Sequence, residues 1–160
     1  MGSGIVMCLA NAGVPTILVE TSQEKVDHSM KHIEKVYKAS SAYKSGKQTD
    51  ADIAKVMSNI TPKSDSDLAC LSNVDIVIEA VFENLETKQE IFRKLDKVCK
   101  PNAVLATNTS YLDIDQIGSV ASRHGNVVGT RKLARRSLLG LHRLWNLYSA
   151  ANQLISSSCC

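Results

Sequence analysis

The chain has 160 residues, enough for one domain with its own core, and a formal charge of +3 that is unevenly spread. Residues 131–160 hold Arg131, Lys132, Arg135, Arg136 and Arg143 and no acid, which leaves 14 basic against 16 acidic groups in the first 130 residues, so the basic pI belongs to the tail and gives no reason to expect a nucleic-acid partner. Five cysteines (Cys8, Cys70, Cys99, Cys159 and Cys160), odd in number and without CxxC spacing, argue against a disulfide framework or a metal site. No apolar run reaches the roughly 18–20 residues that span a bilayer, and no signal peptide is evident at the start.

Residues 4–12 read as a short helix stopped by Gly13, with Ile5, Val6 and Leu9 at near-helical spacing and Cys8 as a small core residue. Residues 15–20 form a continuous apolar strand that ends in the carboxylate of Glu20, as in a sheet covered on both faces. A long helix starts near Thr21 and runs to about Lys44 on the stripe Val26, Met30, Ile33, Val36, Tyr37. A turn at residues 45–48 leads to an N-cap at Thr49 and a helix to about Ser58, then a short strand at Ile60 and Thr61. A polar connection over 64–71 precedes a strand at 75–80. A helix at 85–99 follows, with Ile91, Leu95 and Val98 facing inward. The last elements are a strand at 103–107, a short helix at 112–118 and a strand at 126–129. Strands alternating with helices predict a parallel α/β sheet. In the tail, Leu138, Leu141, Trp145, Tyr148 and Ile155 recur at 3- and 4-residue steps, as in an amphipathic helix weakened by Gly140.

Ligands bind α/β sheets at the carboxyl ends of the strands, so polar residues placed there are candidates for chemistry. Gly2 and Gly4 open a helix, whose free N–H groups and positive dipole suit a pyrophosphate; alone they are better explained by helix packing, and it is the context that raises the functional reading. Glu20 lies 18 residues after Gly2, near the spacing of an acid that binds a ribose 2′-hydroxyl, and a carboxylate there would repel the 2′-phosphate of NADP.

Residues 1–5 (MGSGI), 17–20 (ILVE), 77–84 (VIEAVFEN), Lys88, 107–110 (TNTS) and Leu112 together resemble the NAD-binding domain of the 3-hydroxyacyl-CoA dehydrogenases, including the dehydrogenase part of the multifunctional β-oxidation enzymes. The likeness covers residues 1–130 and implies a Rossmann-type doubly wound sheet that uses NAD, here without its first strand, followed by a divergent tail over 131–160. It assigns cofactor binding to Gly2, Glu20, Glu83, Lys88, Asn108 and Ser110. Gly2 matches the last fingerprint glycine and Glu20 the ribose acid. Glu83 and Lys88 match a pair near the cofactor, free to pair or to touch ribose and phosphate; without the likeness they would read as a surface ion pair worth little. Ser110 matches the serine that helps hold the reacting hydroxyl, a task suited to a group that donates and accepts. Asn108 is expected to fix its turn through its own side chain.

The implied reaction oxidises a 3-hydroxyacyl-CoA to a 3-oxoacyl-CoA in fatty-acid β-oxidation, with a histidine oriented by a carboxylate as general base. In the family that histidine follows a Gly-Thr pair. Here Gly129 and Thr130 lead to Arg131, which cannot be a base at neutral pH, and His142 lies eleven residues later in an unrelated leucine-rich segment. The abrupt change after Thr130 points to an alternative exon, a frameshift or a faulty gene assignment. The expectation is therefore a cofactor platform inactive on its own. The alternative is a non-catalytic NAD-binding or interaction module whose tail meets a partner or an anionic membrane surface; lipidation of Cys159 and Cys160 is a weaker option. By family, the partners are an acyl-CoA and, in full-length members, a second copy; the compartment is the mitochondrial matrix or the peroxisome. Lys38, Lys44 and Lys47 are the candidates for holding CoA. A doubly wound sheet without its central strand must either pair the strands ending at Glu20 and Glu79 directly or leave open edges, which predicts marginal stability.

Overall fold

The computed structural model describes residues 2–130; the helix, membrane and lipidation readings of the tail lie outside them. Helix α1 (Gly2–Asn11) turns Val6 and Ala10, one helical repeat apart, onto the core. Cys8 lies two positions from each and so points the other way; it is exposed, not a core residue as its apolar neighbours suggest. Gly13 ends the helix in the left-handed region (φ +74), where a side chain would be strained, and its N–H bonds the Ala10 carbonyl at 3.0 Å. Strand β1 (Thr16–Glu20) follows.

The long helix is shorter than its stripe predicts. Helix α2 (Gln23–Ala39) stops at Ser40, whose backbone is extended (φ −64, ψ 151) and whose hydroxyl accepts from the Tyr43 N–H at 3.2 Å. Ser40 thus closes α2 and opens the one-turn helix α3 (Ser41–Lys44); a serine that competes for backbone partners overrides a periodicity that continues past it. Helix α4 (Asp50–Met57) begins in a full capping box between Thr49 and Asp52. Strand β2 (Ile60–Ser64), longer than expected, pairs with β1 in parallel from Thr16↔Ile60 to Glu20↔Ser64. Val6, Ala10, Leu18, Ile33, Tyr37, Ile53 and Ile60 form the first core. Burial pushes the Tyr37 phenol pKa up, and its hydroxyl donates to Asn11 Oδ1 at 3.1 Å, tying α2 to α1.

The second half is a three-stranded parallel sheet of β3 (Ile76–Glu79), β4 (Val104–Thr107) and β5 (Val127–Gly129) in that order. Helix α5 (Leu85–Val98), capped by Asn84, and α6 (Ile114–Gly118), capped by Asp113, pack beside it. On α5 the fully inward residues are Lys88, Phe92 and Leu95, with Cys99 just beyond; Ile91 and Val98 are half-buried. The stripe is therefore rotated by about one residue, because it must carry a buried ammonium as well as apolar groups.

Among the described residues no strand lies between β1 and β3, so each has an unpaired edge. Side chains bridge what hydrogen bonds do not: Ile17 and Val19 of β1 pack against the second core, which contains Leu71, Phe92, Leu95, Leu105 and Ile117.

A polar lock closes the far end. The Asp96 carboxylate accepts from the Ser122 N–H at 2.9 Å and from Arg123 Nε at 2.8 Å. Partial burial raises the Asp96 pKa, but these donors outweigh it and hold it below the ordinary value. Asp96→Asn is expected to cost about 1.5–3 kcal/mol at neutral pH. A depressed native pKa gives stability that is present above the unfolded value, about 3.9, and lost as pH falls through the native one. Melts from neutral pH to below about pH 4 should therefore converge for wild type and variant; curves that stay parallel would show that the lock carries no ionic stabilisation.

Candidate functional site

The polar groups that gather at the ends of β3 and β4 follow from parallel register, which sets Glu79 opposite Thr107. Glu79 is the last residue of β3 and is 4% exposed. Its carboxylate takes the Lys88 ammonium at 2.8 and 3.0 Å, the Thr107 hydroxyl at 2.7 Å and the Val81 N–H at 2.6 Å. Lys88 has no solvent exposure. Its main partner is Glu79, and Glu83 stands further off at 3.5 Å. The pair is therefore no surface ion pair but a buried cluster of two acids and one base.

Glu83 faces outward from this cluster, its side chain 21% exposed. It accepts from the Ser110 N–H at 2.7 Å and from the Thr109 hydroxyl. The Thr109 oxygen in turn accepts from the Leu112 N–H at 3.0 Å. Glu83 and Thr109 thus hold the turn after β4, the task expected of Asn108. Partial burial raises the Glu83 pKa, but Thr109, Ser110 and the Lys88 charge outweigh it and keep the carboxyl below its ordinary value. Asn108 is buried, and its Nδ2 has no hydrogen-bond partner among the described residues. A buried amide donor left without an acceptor is rare and costly, and at a strand end it fits a site that a ligand completes. Ser110 is exposed beside it; Phe82 (81% exposed) precedes Glu83 in sequence, and Tyr111 (72%) follows Ser110 and reaches the Glu83 carbonyl with its hydroxyl at 3.5 Å.

The N-terminus of α1 meets this group. A Cβ on Gly2 would lie 3.8 Å from Ala80, directly after β3. That is ordinary contact, and Gly4 has open space around it, so neither glycine is demanded by crowding from protein. Glu20 ends β1, half-buried, and accepts from the Ser29 hydroxyl at 3.3 Å. The predicted residues thus fall in two sets: Gly2, Glu83, Lys88, Asn108 and Ser110 around the ends of β3 and β4, and Glu20 on the neighbouring sheet. Lys38, Lys44 and Lys47 are exposed; Lys38 is bound to Glu34 at 2.7 Å. Sequence reasoning missed Glu79, Thr107 and Thr109 as site residues. The available signal was a carboxylate ending an apolar run nine residues before a lysine on the following helix.

Beyond the turn, the Thr130 N–H and hydroxyl reach the Thr107 carbonyl at 2.9 and 3.1 Å, so the chain leaves β5 against the residue that holds Glu79. No helix of the described residues is long and apolar enough to cross a membrane, and among them no cluster suits a metal ion.

A family model described as the NAD-binding domain of 3-hydroxyacyl-CoA dehydrogenase matches residues 1–131. The chain is 38% identical over 130 residues to the peroxisomal bifunctional enzyme of Cavia porcellus, covering 81% of this chain and 17% of that protein. It is 34% identical over 155 residues to the peroxisomal fatty acid beta-oxidation multifunctional protein AIM1 of Arabidopsis thaliana, covering 97% and 21%, a match that continues past Thr130. Among solved structures, that of FadB2 from M. tuberculosis superposes with a TM-score of 0.74 at 35% identity, covering 81% of this chain and 44% of the other. The chain therefore spans less than half the length of these relatives.

Proposed function

Because the chain belongs to the 3-hydroxyacyl-CoA dehydrogenase family, matched through its NAD-binding domain, we propose that residues 2–130 are the NAD platform of an enzyme that oxidises 3-hydroxyacyl-CoA to 3-oxoacyl-CoA in fatty-acid β-oxidation. The observation that carries this reading is the orphan amide of Asn108 beside Glu83 and Ser110, at the strand end that the N-terminus of α1 faces.

The free N–H groups of α1, with Gly2 allowing close approach, would hold the pyrophosphate. Glu20 would take the adenosine ribose, its charge disfavouring a 2′-phosphate. Glu83, Asn108 and Ser110, at the ends of β3 and β4, would hold the nicotinamide half. Bound NAD supplies a hydride acceptor. Ser110 orients the substrate hydroxyl, the Asn108 amide gains its acceptor, and Lys88, sealed under Glu79, acts by placing Glu83 rather than by touching the ligand.

Arg131 stands where the likeness places the histidine base, and a guanidinium does not accept a proton at neutral pH. The 160-residue chain is therefore expected to bind NAD without turnover. An acyl-CoA is the substrate partner of the whole enzyme and a homodimer its expected state. The peroxisomal relatives favour the peroxisome over the mitochondrial matrix. The Arg131 substitution also supports a second reading, a non-catalytic NAD-binding module.

Calorimetric titration with NAD, beside an assay with a 3-hydroxyacyl-CoA, tests both. Binding without turnover is expected, and Glu20→Gln should weaken it about tenfold, the loss of hydrogen bonds to a charged group. Turnover by the 160-residue chain would overturn the assignment of Arg131, and absence of NAD binding would overturn the platform. Genomic and messenger sequence read without interruption across the Gly129–Thr130 codons would remove the case for an artefactual tail.

A further inference from the structure

We propose that Glu79 is a positioning residue that cancels the Lys88 charge, so that the buried trio Glu79, Lys88 and Glu83 presents a net charge of −1 through Glu83 and makes the site prefer the oxidised, cationic nicotinamide over the reduced, neutral one. This rests on the reading that the nicotinamide half lies at the ends of β3 and β4.

Lys88 has two carboxylates within reach, and geometry divides them unequally. Glu79 holds its ammonium through both oxygens, at 2.8 and 3.0 Å, with no water access; Glu83 is at 3.5 Å. Glu79 is itself held by the Thr107 hydroxyl and the Val81 N–H, so it cannot release the lysine by changing rotamer without stranding those donors. Glu83 is thereby left to hold the turn through Ser110 and Thr109, with its side chain still 21% exposed.

Exposed Phe82 directly precedes this acid, and exposed Tyr111, from the turn after β4, donates its hydroxyl to the Glu83 carbonyl at 3.5 Å. A cationic heteroaromatic ring suits such surroundings: aromatic faces attract a cation, and a carboxylate partly shielded from water keeps more of its Coulomb attraction than one on an open surface. Reduction removes the ring's positive charge and with it that attraction, while the adenosine and pyrophosphate are chemically identical in both forms. The preference is therefore read from the ratio of two affinities and not from either alone.

The test measures dissociation constants of NADH, by its fluorescence, and of NAD, by competition, on the 160-residue chain and three variants. Wild type should favour NAD. Glu79→Gln keeps the shape of the clamp but brings the trio to zero charge, and Lys88 then draws on Glu83; the ratio should fall on the order of tenfold. Glu79→Asp keeps the charge and should keep the ratio even where it lowers the melting temperature. A purely structural role for Glu79 would move the melting temperature and leave the ratio alone, since both ligands bind the same native state. If Glu79→Gln does not fold, Glu83→Gln removes the same unit of charge from the partly exposed side and must produce the same fall. A ratio unchanged in Glu83→Gln, or in a folded Glu79→Gln, overturns the inference while leaving the platform intact. A wild-type chain that binds neither form overturns the platform and this inference together.

Discussion

Lys88→Met is expected to lower the unfolding free energy by about 3–5 kcal/mol, the range for breaking one side of a buried ion pair. Lys88 is completely buried on α5 and Glu79 is 4% exposed at the end of β3. Methionine fills most of the lysine stem's volume, so little of the loss comes from packing. The cost is electrostatic: the Glu79 carboxylate would keep two donors, Thr107 and Val81, but lose the cation that justifies its charge in a dry place. A pair on the surface would give less than about 1 kcal/mol in the same experiment, so the measurement separates the two pictures. The double variant Lys88→Met with Glu79→Gln should recover much of the loss, since removing both charges leaves hydrogen-bonding groups that Thr107 and Val81 can still satisfy. Urea unfolding of the four proteins closes a double-mutant cycle. Additive single and double effects would show that the two side chains do not act as a unit.

That cluster also shows where the sequence was legible and where it was not. Alternation of apolar runs with helical stripes was enough to locate every strand and several helix ends, because local signals decide them: Gly13 with its left-handed φ and the Thr49–Asp52 capping box. The break at Ser40 was missed, since the apolar stripe up to Tyr37 does not mark it and only the serine's own hydrogen bond cuts the helix. Cys8 and the inward face of α5 were misread for a related reason: in a short or mixed stripe, periodicity alone leaves the phase of the face uncertain by a residue. Glu83, Asn108 and Ser110 were singled out through their place at strand ends and the family likeness. Glu79 and Thr107 were not, because their importance lies in register. Glu79 meets Thr107 only when β3 and β4 pair in parallel, 28 residues apart, and no local pattern encodes that meeting. Lys88 was singled out as a partner of the nearer Glu83, since sequence distance favours the residue five positions away over the one nine away, whereas its shorter contact is with Glu79.

Joining an apolar, β-branched five-residue strand and a glycine-rich turn to the N-terminal side of Gly2 is expected to stabilise the domain by several kcal/mol. The reason is the divided sheet. β1 and β3 each pair on one side only among the described residues, yet Ile17, Val19 and Val77 already share the second core. A strand laid between them would give hydrogen-bond partners to both edges and cover apolar surface from two sides. Each buried valine or isoleucine contributes about 1.5–3 kcal/mol, against about 1–2 kcal/mol for fixing its backbone, and the ladder bonds add to the balance. Its end would also lie over the N-terminus of α1, so the addition should tighten NAD binding as well. Among the described residues the two edges have no such partner, and the 160-residue chain is expected to self-associate as its concentration rises. Light scattering across a concentration series, with thermal melts in the presence and absence of NAD, reads both effects. A monomeric chain that melts cooperatively, is stabilised by NAD and gains nothing from the added strand would show that the two sheets are complete as they stand.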